Sequence, residues 1–499
     1  MLKKFLSLLL LVLLCLPFSS CTALFGEEDD EVAYFERDEH GFAYAYNGDG
    51  TYTLVEIPAN TPSDVTIDFF KGQPVTRIAE DTFRNNTSIT SITLGDSVTT
   101  IGSCAFYGCT SLLEVRGGRR LTTIGRYAFA GCSSLTSAPL PQGILSLGEF
   151  CFSSCAQLTV SSLPDSLTHI GQHIFDNSTG VTFTTYDNAY YLACGDNPYY
   201  YLYSAINQEI TSVSVHPEAR VIMGSAFKTC TELYLVNLES KLERICAEAF
   251  WRCSSLESIT LPQSIIALGE NTFRLCSSLT NVILGDRLIA IGREAFRECS
   301  SLVTYHYGNA VYLSSHSNPY YALLRAESKT TASVNVHPST KIIAAEAFDE
   351  WEELKSISLP DGLLAIDDGA FSCTGLQSIT IPDSVVRIGR SAFWGCDQIT
   401  TAKIGQGVTV IEESAFQNCA SMKTIVIPDS VKTIAVEAFY ACDKLSSVTI
   451  GASVSAIGQG AFADCTKLTT VVNRSNLNIV AGSSTYGGVA KYAKNVKKP

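Results

Sequence analysis

The chain has 499 residues, 18 of them Cys, and a formal net charge of -14. A pI near 5 argues against nucleic acid and against an anionic membrane surface as partners. So few cysteines in so long a chain exclude a disulfide scaffold, and the length exceeds what one ordinary core fills unless the chain is built from repeats.

The N-terminus carries a targeting signal. Met1-Leu2-Lys3-Lys4 is a short basic segment, followed by an apolar run from Phe5 to Leu16 and then Pro17-Phe18-Ser19-Ser20-Cys21. The run is too short for a permanent membrane span and reads as a secretory signal over residues 1–20. Small residues directly before Cys21 resemble a bacterial lipobox, which would make Cys21 the lipidated mature N-terminus. Phe18 stands where such a motif usually has Leu, and ordinary cleavage with an incidental Cys21 is the alternative. Residues 21–40 then form a tether in which Glu27-Glu28-Asp29-Asp30-Glu31 repel one another and stay solvated. No other segment is apolar for long enough to span a bilayer. Residues 41–65 contain Asn47-Gly48-Asp49-Gly50, whose Asp49-Gly50 suits a hairpin turn.

From there a period dominates. A Phe preceded by a small or polar residue recurs at Phe83, Phe106, Phe129, Phe152, Phe175, Phe227, Phe250, Phe273, Phe296, Phe348, Phe371, Phe393, Phe416, Phe439 and Phe462. The gaps are 23 residues, apart from one of 22 and two of 52. Within a unit, Ser258-Ile259-Thr260-Leu261 alternates as a half-buried strand does, and Pro262 then breaks it. The remainder is too short for a long helix and predicts a second short strand, a turn and a 3₁₀ or single-turn segment. One unit cannot bury its own Ile, Leu and Phe, so neighbours must stack. The fold class is a mostly β repeat solenoid of about 15 units of 23 residues, spanning residues 66–470 and closed by residues 471–499.

Twelve cysteines follow the repeat Phe: eleven at an offset of three, from Cys109 to Cys465, and Cys373 at an offset of two, which reads as the place of the one-residue deletion. Such a column serves as small buried apolar packing with a weak S–H donor. The unit Leu376 to Cys396, L-x-x-I-x-I-P-x-S-V-x-x-I-G-x-x-A-F-x-x-C, resembles the BspA-like leucine-rich repeat family over about four-fifths of the chain. That resemblance implies a bacterial cell-surface protein, some relatives of which attach to host matrix or plasma proteins, and it carries no catalytic residues to transfer.

The two 52-residue gaps hold related inserts, near 178–206 and 300–327, in which Asn197-Pro198-Tyr199-Tyr200 corresponds to Asn318-Pro319-Tyr320-Tyr321. They read as hairpin-like extensions and contain twelve of the 22 tyrosines. Insertions in repeat arrays map to loops on one face, and Tyr gives contact area at low entropic cost; the same rings could instead pack the hairpin onto the coil. Tyr199, Tyr200, Tyr320 and Tyr321 are therefore candidate ligand-binding residues. The position after the repeat Phe varies freely, which implies solvent exposure and adds Tyr107, Trp251, Trp394 and Tyr440 as a possible aromatic ridge.

Catalysis finds no support. His216 and His337 occupy equivalent turns and report the duplication; His169 and His173 lack a carboxylate partner at a metal-binding spacing, and Asp49-Gly50 lacks the later ligands of a calcium loop. The expectation is a non-enzymatic lipoprotein on the outer face of the bacterial envelope, without cofactor or metal, touching membrane only through its anchor. Its partners would be extracellular proteins in an adhesin-like role, with surface glycan capture or a structural spacer as the alternatives.

Overall fold

The computed structural model describes residues 35–498 except 48, 49 and 240. The signal segment, Cys21, the acidic block of the tether and Asp49 lie outside the described residues. The fold is a β-solenoid of about 19 turns of roughly 23 residues with almost no helix. Turns that lack a repeat Phe, at the inserts and at either end, account for the excess over the Phe count. The chain divides into two compact units, Met1–Cys253 and Ser254–Pro499. No helix among the described residues is long and apolar enough to cross a membrane.

Each turn lays down two short strands and an arc. In the first unit, Asp64–Ile67, Ser91–Leu94 and Glu114–Gly117 pair in parallel, with Val65, Ile92 and Val115 in register. Their period of two sends Ile92 and Leu94 inward and leaves Thr93 in solvent, the division a one-sided sheet requires. The second strand is only two residues long: Thr100–Ile101, Thr123–Ile124, Ser146–Leu147 and His169–Ile170 stack in parallel. The second unit repeats both ladders, for example Ser447–Ile450 beside Thr470–Asn473 and Arg387–Ile388 beside Val410–Ile411.

The arc around the repeat Phe is built differently from the expectation. A 3₁₀ helix occurs among the described residues only at Tyr486–Gly488. Elsewhere, the residues two before and two after the Phe adopt positive φ: Asp81 and Asn85 around Phe83, Asn271 and Leu275 around Phe273, Glu437 and Ala441 around Phe439. This alternation turns successive N–H groups to opposite uses. Cys104, Phe106 and Gly108 donate to Arg126, Ala128 and Ala130 of the next turn at 2.7–2.8 Å, while Tyr107 and Cys109 donate back to Cys104 and Phe106. The inter-turn bonds offset the roughly 1–2 kcal/mol that a side chain loses in left-handed backbone.

Inside the arc the Phe rings stack in columns, Phe83 to Phe106 at 4.9 Å and Phe106 to Phe129 at 5.0 Å in the first unit, Phe393 to Phe416 at 5.0 Å and Phe416 to Phe439 at 5.4 Å in the second. Beside them run the thiols. Cys109 Sγ donates to the Phe83 carbonyl at 3.0 Å, Cys132 to Phe106 at 3.0 Å, Cys253 to Phe227 at 3.1 Å and Cys465 to Phe439 at 3.1 Å. The buried S–H is thus a second donor to a carbonyl that already accepts a backbone N–H within its own arc, as Phe106 does from Cys109. Ser178 takes the same place with a 2.7 Å bond to Phe152.

Cys373 is not a member of this column. It holds the positive-φ position two after Phe371 and is half-exposed, whereas Thr374 fills the column slot, buried, with its hydroxyl 3.0 Å from the Phe371 carbonyl and 3.2 Å from Cys396 Sγ. The deleted residue lies after Thr374, because the next core residue, Leu376, follows Phe371 by five positions where Ile399 follows Phe393 by six.

The column sets a chemical expectation. Burial pushes the thiols of Cys155, Cys299 and Cys396 up to about 12, and only the thiolate attacks electrophiles. Iodoacetamide labelling of the native protein, read by peptide mass spectrometry, is expected to modify the half-exposed Cys104 and Cys373 first and to leave Cys132, Cys419 and Cys442 unmodified until denaturant is added.

Candidate interaction surfaces

Each insert replaces the Phe arc of one turn by a three-stranded antiparallel meander. In the first unit the strands are Thr184–Tyr186, Ala189–Cys194 and Asn197–Ala205, and the last pairs in parallel with Val221–Ile222 to rejoin the coil. In the second unit Tyr305–Tyr307, Ala310–Leu313 and Ala322–Ala326 do the same, rejoining at Ile342–Ile343.

Alternation along these strands sorts the tyrosines. Tyr191, Tyr201 and Tyr312 are fully buried and Tyr321 nearly so, and each finds a polar partner, as a buried phenol must. Tyr201 donates to the Pro164 carbonyl at 2.7 Å, and the Tyr321 hydroxyl lies 2.8 and 2.9 Å from the carbonyls of Asp286 and Leu288. The hydroxyls of Tyr191 and Tyr312 accept the backbone N–H of His216 and His337 at 3.1 and 3.2 Å. Tyr199 stacks on His216 at 3.7 Å and Tyr320 on His337 at 3.9 Å. The Nδ1 of each imidazole accepts a backbone N–H, from Glu218 and Ser339, and burial lowers the pKa of His216 against the opposing pull of Glu218. Tyr200 is half-buried, with its ring 4.6 Å from that of Tyr201.

Of the four insert tyrosines singled out from sequence, Tyr321 is a buried anchor, and Tyr199 and Tyr320 offer only the ring face turned away from histidine. The insert tyrosines most open to solvent are others: Tyr186 at 37%, Tyr305 at 43% and Tyr307 at 42%. They stand on the first strand of each meander, which pairs on one side only among the described residues. The signal was present as Tyr305-His306-Tyr307 directly before the Gly308-Asn309 turn, a period-two pattern that puts both tyrosines on one face.

The ridge after the repeat Phe is less regular than its variation implied. Tyr107 is 36% exposed, but Trp251, Trp394 and Tyr440 are half-buried, and Ala130 and Ser153 in the same slot are buried. Variation there reflects tolerance at the rim of the arc and not uniform exposure. The Arg84 guanidinium covers the Tyr107 ring at 4.9 Å and the Lys228 ammonium covers Trp251 at 5.1 Å, so cations already occupy those faces. Asp464 beside the Tyr440 hydroxyl raises its pKa. A second outer stack, Tyr127–Phe150–His173 at 4.9 and 5.1 Å, escaped the sequence reading because its members hold the positive-φ position, where polar or glycine residues are the usual occupants.

Buried charges anchor the turns around the inserts. Arg244, 6% exposed, donates from Nη1 and Nη2 to the carbonyls of Thr168 and Leu167, each at 2.8 Å, at the strand where the sheet before the first insert ends. In the second unit Asp367 Oδ2 accepts the N–H of Ile291 at 2.8 Å, again on the last strand before the insert. Asp367 is also bonded to Arg387, whose other nitrogen reaches Asp368 at 2.8 Å. Among the described residues no group of three or more His, Cys, Asp or Glu side chains is placed to hold a metal ion.

The sequence profile described as "BspA type Leucine rich repeat region (6 copies)" matches residues 76–194, 198–317, 326–442 and 387–488. Among solved structures, a leucine-rich cell surface protein from Faecalibacterium prausnitzii is 24% identical, covering 91% of this chain and 98% of that one, with a TM-score of 0.29. A leucine-rich repeat protein from Bacteroides ovatus is 21% identical, covering 92% and 98%, with a TM-score of 0.28. The pneumococcal vaccine antigen PcpA is 16% identical, covering 93% of each chain, with a TM-score of 0.28. Against curated proteins the sequence has no significant match.

Proposed function

This chain belongs to the BspA-type leucine-rich repeat family, and from that premise we propose that it is a non-catalytic lipoprotein of the bacterial cell surface whose solenoid binds extracellular proteins. The reading rests on one observation above the others: two equivalent meanders each hold exposed tyrosines, Tyr186 in one and Tyr305 with Tyr307 in the other, on a strand with an open edge. Aromatic side chains fixed on a rigid strand give up little entropy on contact, and an open edge can also donate main-chain hydrogen bonds to a partner. Anchoring would run through Cys21 after signal cleavage. Capture of neutral glycans on the ridge is the weaker reading, because Arg84 and Lys228 already cover Tyr107 and Trp251.

The test substitutes the exposed rings and leaves the buried ones. Excising an insert would remove Tyr201 or Tyr312 from the core, whereas Tyr186→Ser, Tyr305→Ser and Tyr307→Ser keep the core and give up only ring contacts at its edge, such as those of Tyr186 with His216 and Tyr307 with His337. In a screen against immobilised matrix and plasma proteins, the triple variant is expected to lose about tenfold or more in affinity for any protein the parent binds saturably, as two or three anchoring contacts of ~1 kcal/mol or more would give. Undiminished binding by a folded variant contradicts the assignment.

A further inference from the structure

We propose that the outer face of the parallel sheet in the second unit is a docking surface for a linear anionic glycan, bound through lysines and not through the tyrosine inserts. Six consecutive strands of this sheet, Ser378–Thr380, Thr401–Lys403, Thr424–Val426, Ser447–Ile450, Thr470–Asn473 and Asn495–Lys497, contain no Asp or Glu. Their outward positions carry hydroxyls, short apolar groups and lysine. Strands in the same place elsewhere are mostly free of carboxylate too, and what distinguishes this face is its lysines. From Cys465 to Pro499 the chain holds six Lys or Arg and no acid.

Register places the ammonium groups in two columns. Thr424, Ser447, Thr470 and Asn495 are mutual neighbours across the ladder, so Lys423 and Lys494, each one residue earlier, stand three strands apart, or about 14 Å. Lys403 and Lys497 close a second column, three residues further along the strands, and stand four strands apart, about 19 Å, because Val426, Thr449 and Val472 lie between them. All four lysines are exposed. The ion pairs described in this unit are made by Arg274, Arg293, Arg297, His306, Arg387 and Arg474, and none of the four lysines is among them. Asp383 and Asp429, in the turns that follow two of these strands, accept the backbone N–H groups of Gln406 and Ala452.

The chemistry selects the class of partner. Lysine offers a compact point charge that suits sulfate or carboxylate groups, and interleaved Ser and Thr hydroxyls can bond sugar hydroxyls. None of the six strands carries an aromatic residue, so the bases of a single-stranded nucleic acid would find nothing to stack on. Lysines on an edge strand also deter strand addition, which would account for Lys494 and Lys497 but not for Lys403 and Lys423 on interior strands. A flat face with charges spread over 14–19 Å suits an extended chain better than a compact ion.

Dextran sulfate, polygalacturonate, neutral dextran and polyglutamate, each offered to the purified protein in biolayer interferometry, test the proposal. Saturable binding that weakens with salt is expected for dextran sulfate, polygalacturonate or both, which identifies sulfate or carboxylate as the recognised group, and none for neutral dextran. The variant Lys403→Gln/Lys423→Gln/Lys494→Gln/Lys497→Gln should bind about tenfold more weakly or worse, as loss of a steering patch does. A comparable charge loss in the first unit, Arg116→Gln/Arg119→Gln/Arg120→Gln, should leave binding unchanged, as should the Tyr186, Tyr305 and Tyr307 substitutions. The proposal fails if neither glycan binds, if polyglutamate binds as tightly, or if the two charge variants lose affinity equally.

Discussion

Phe416→Ala is expected to lower the unfolding free energy by about 3–5 kcal/mol, the range for deleting a buried phenyl from a core that cannot collapse around the gap. Phe416 is fully buried between Phe393 and Phe439 at 5.0 and 5.4 Å. Its N–H donates to Ala438 of the next turn and its carbonyl receives Cys442 Sγ, so the backbone scaffold that forbids collapse is made by the same residue. A solenoid turn contacts mainly its neighbours, and the cavity should therefore weaken the joints on both sides and broaden the denaturant transition. Gln417→Ala, one residue on at the half-buried rim, should change stability by no more than about 0.5 kcal/mol. Guanidinium unfolding followed by circular dichroism distinguishes the two; similar losses for both would show that the phenyl column does not hold the turns together.

Arg387→Met is expected to cost a similar amount, about 3–5 kcal/mol, for an electrostatic reason. Arg387 is 5% exposed and Asp367 1% exposed, so removing the guanidinium strands a carboxylate that water cannot reach. The sign of the pH response follows. Without its cation, Asp367 takes up a proton more readily in the folded than in the unfolded state, so the variant should regain stability as pH falls toward 4 and lose it as pH rises toward neutrality. The double variant Arg387→Met/Asp367→Gly removes the fully buried carboxylate together with its cation and restores the residue found at the equivalent place in Gly292 and Gly389. It should recover part of the loss, because Asp368 and Glu412 still lack the guanidinium and the bond from Ile291 N–H to Asp367, worth roughly 1 kcal/mol, is gone. Thermal melts across pH 4–8 report both effects, and a double variant as unstable as the single one would contradict the pairing.

The parts of this fold that repeat were legible because repetition averages out local ambiguity. The strand before each Pro, the inward Phe and the thiol column follow from period alone, and they stand where the period puts them. What escaped was whatever departs from the period by substitution. Arg244, Asp367 and Arg387 occupy slots that in other turns hold His169, Gly389 and Thr433, and nothing in one turn reveals that a side chain reaches a backbone group of another turn 76 residues away. The left-handed pair flanking each Phe was hidden because Leu275, Tyr127 and Phe150 hold positions that propensity reserves for Gly, Asn or Asp. Cys373 misled for the same reason: residue type suggested the column, while the buried residue three after Phe371 is Thr374 and the column bond to the Phe371 carbonyl comes from Cys396.

The candidate surfaces were legible as regions and not as residues. Duplicated, tyrosine-rich inserts marked the place, but alternation within an antiparallel meander decides which rings face water. That alternation turned Tyr321 inward and Tyr305 and Tyr307 outward.

The most direct measurement of the central claim is hydrogen–deuterium exchange of the protein with and without a saturably bound extracellular protein. The account predicts protection concentrated on residues 184–186 and 305–307, with the amides of the open-edge strands slowed most. Protection confined to the ridge around Tyr107, Trp251, Trp394 and Tyr440, with both meanders exchanging as in the free protein, would contradict it.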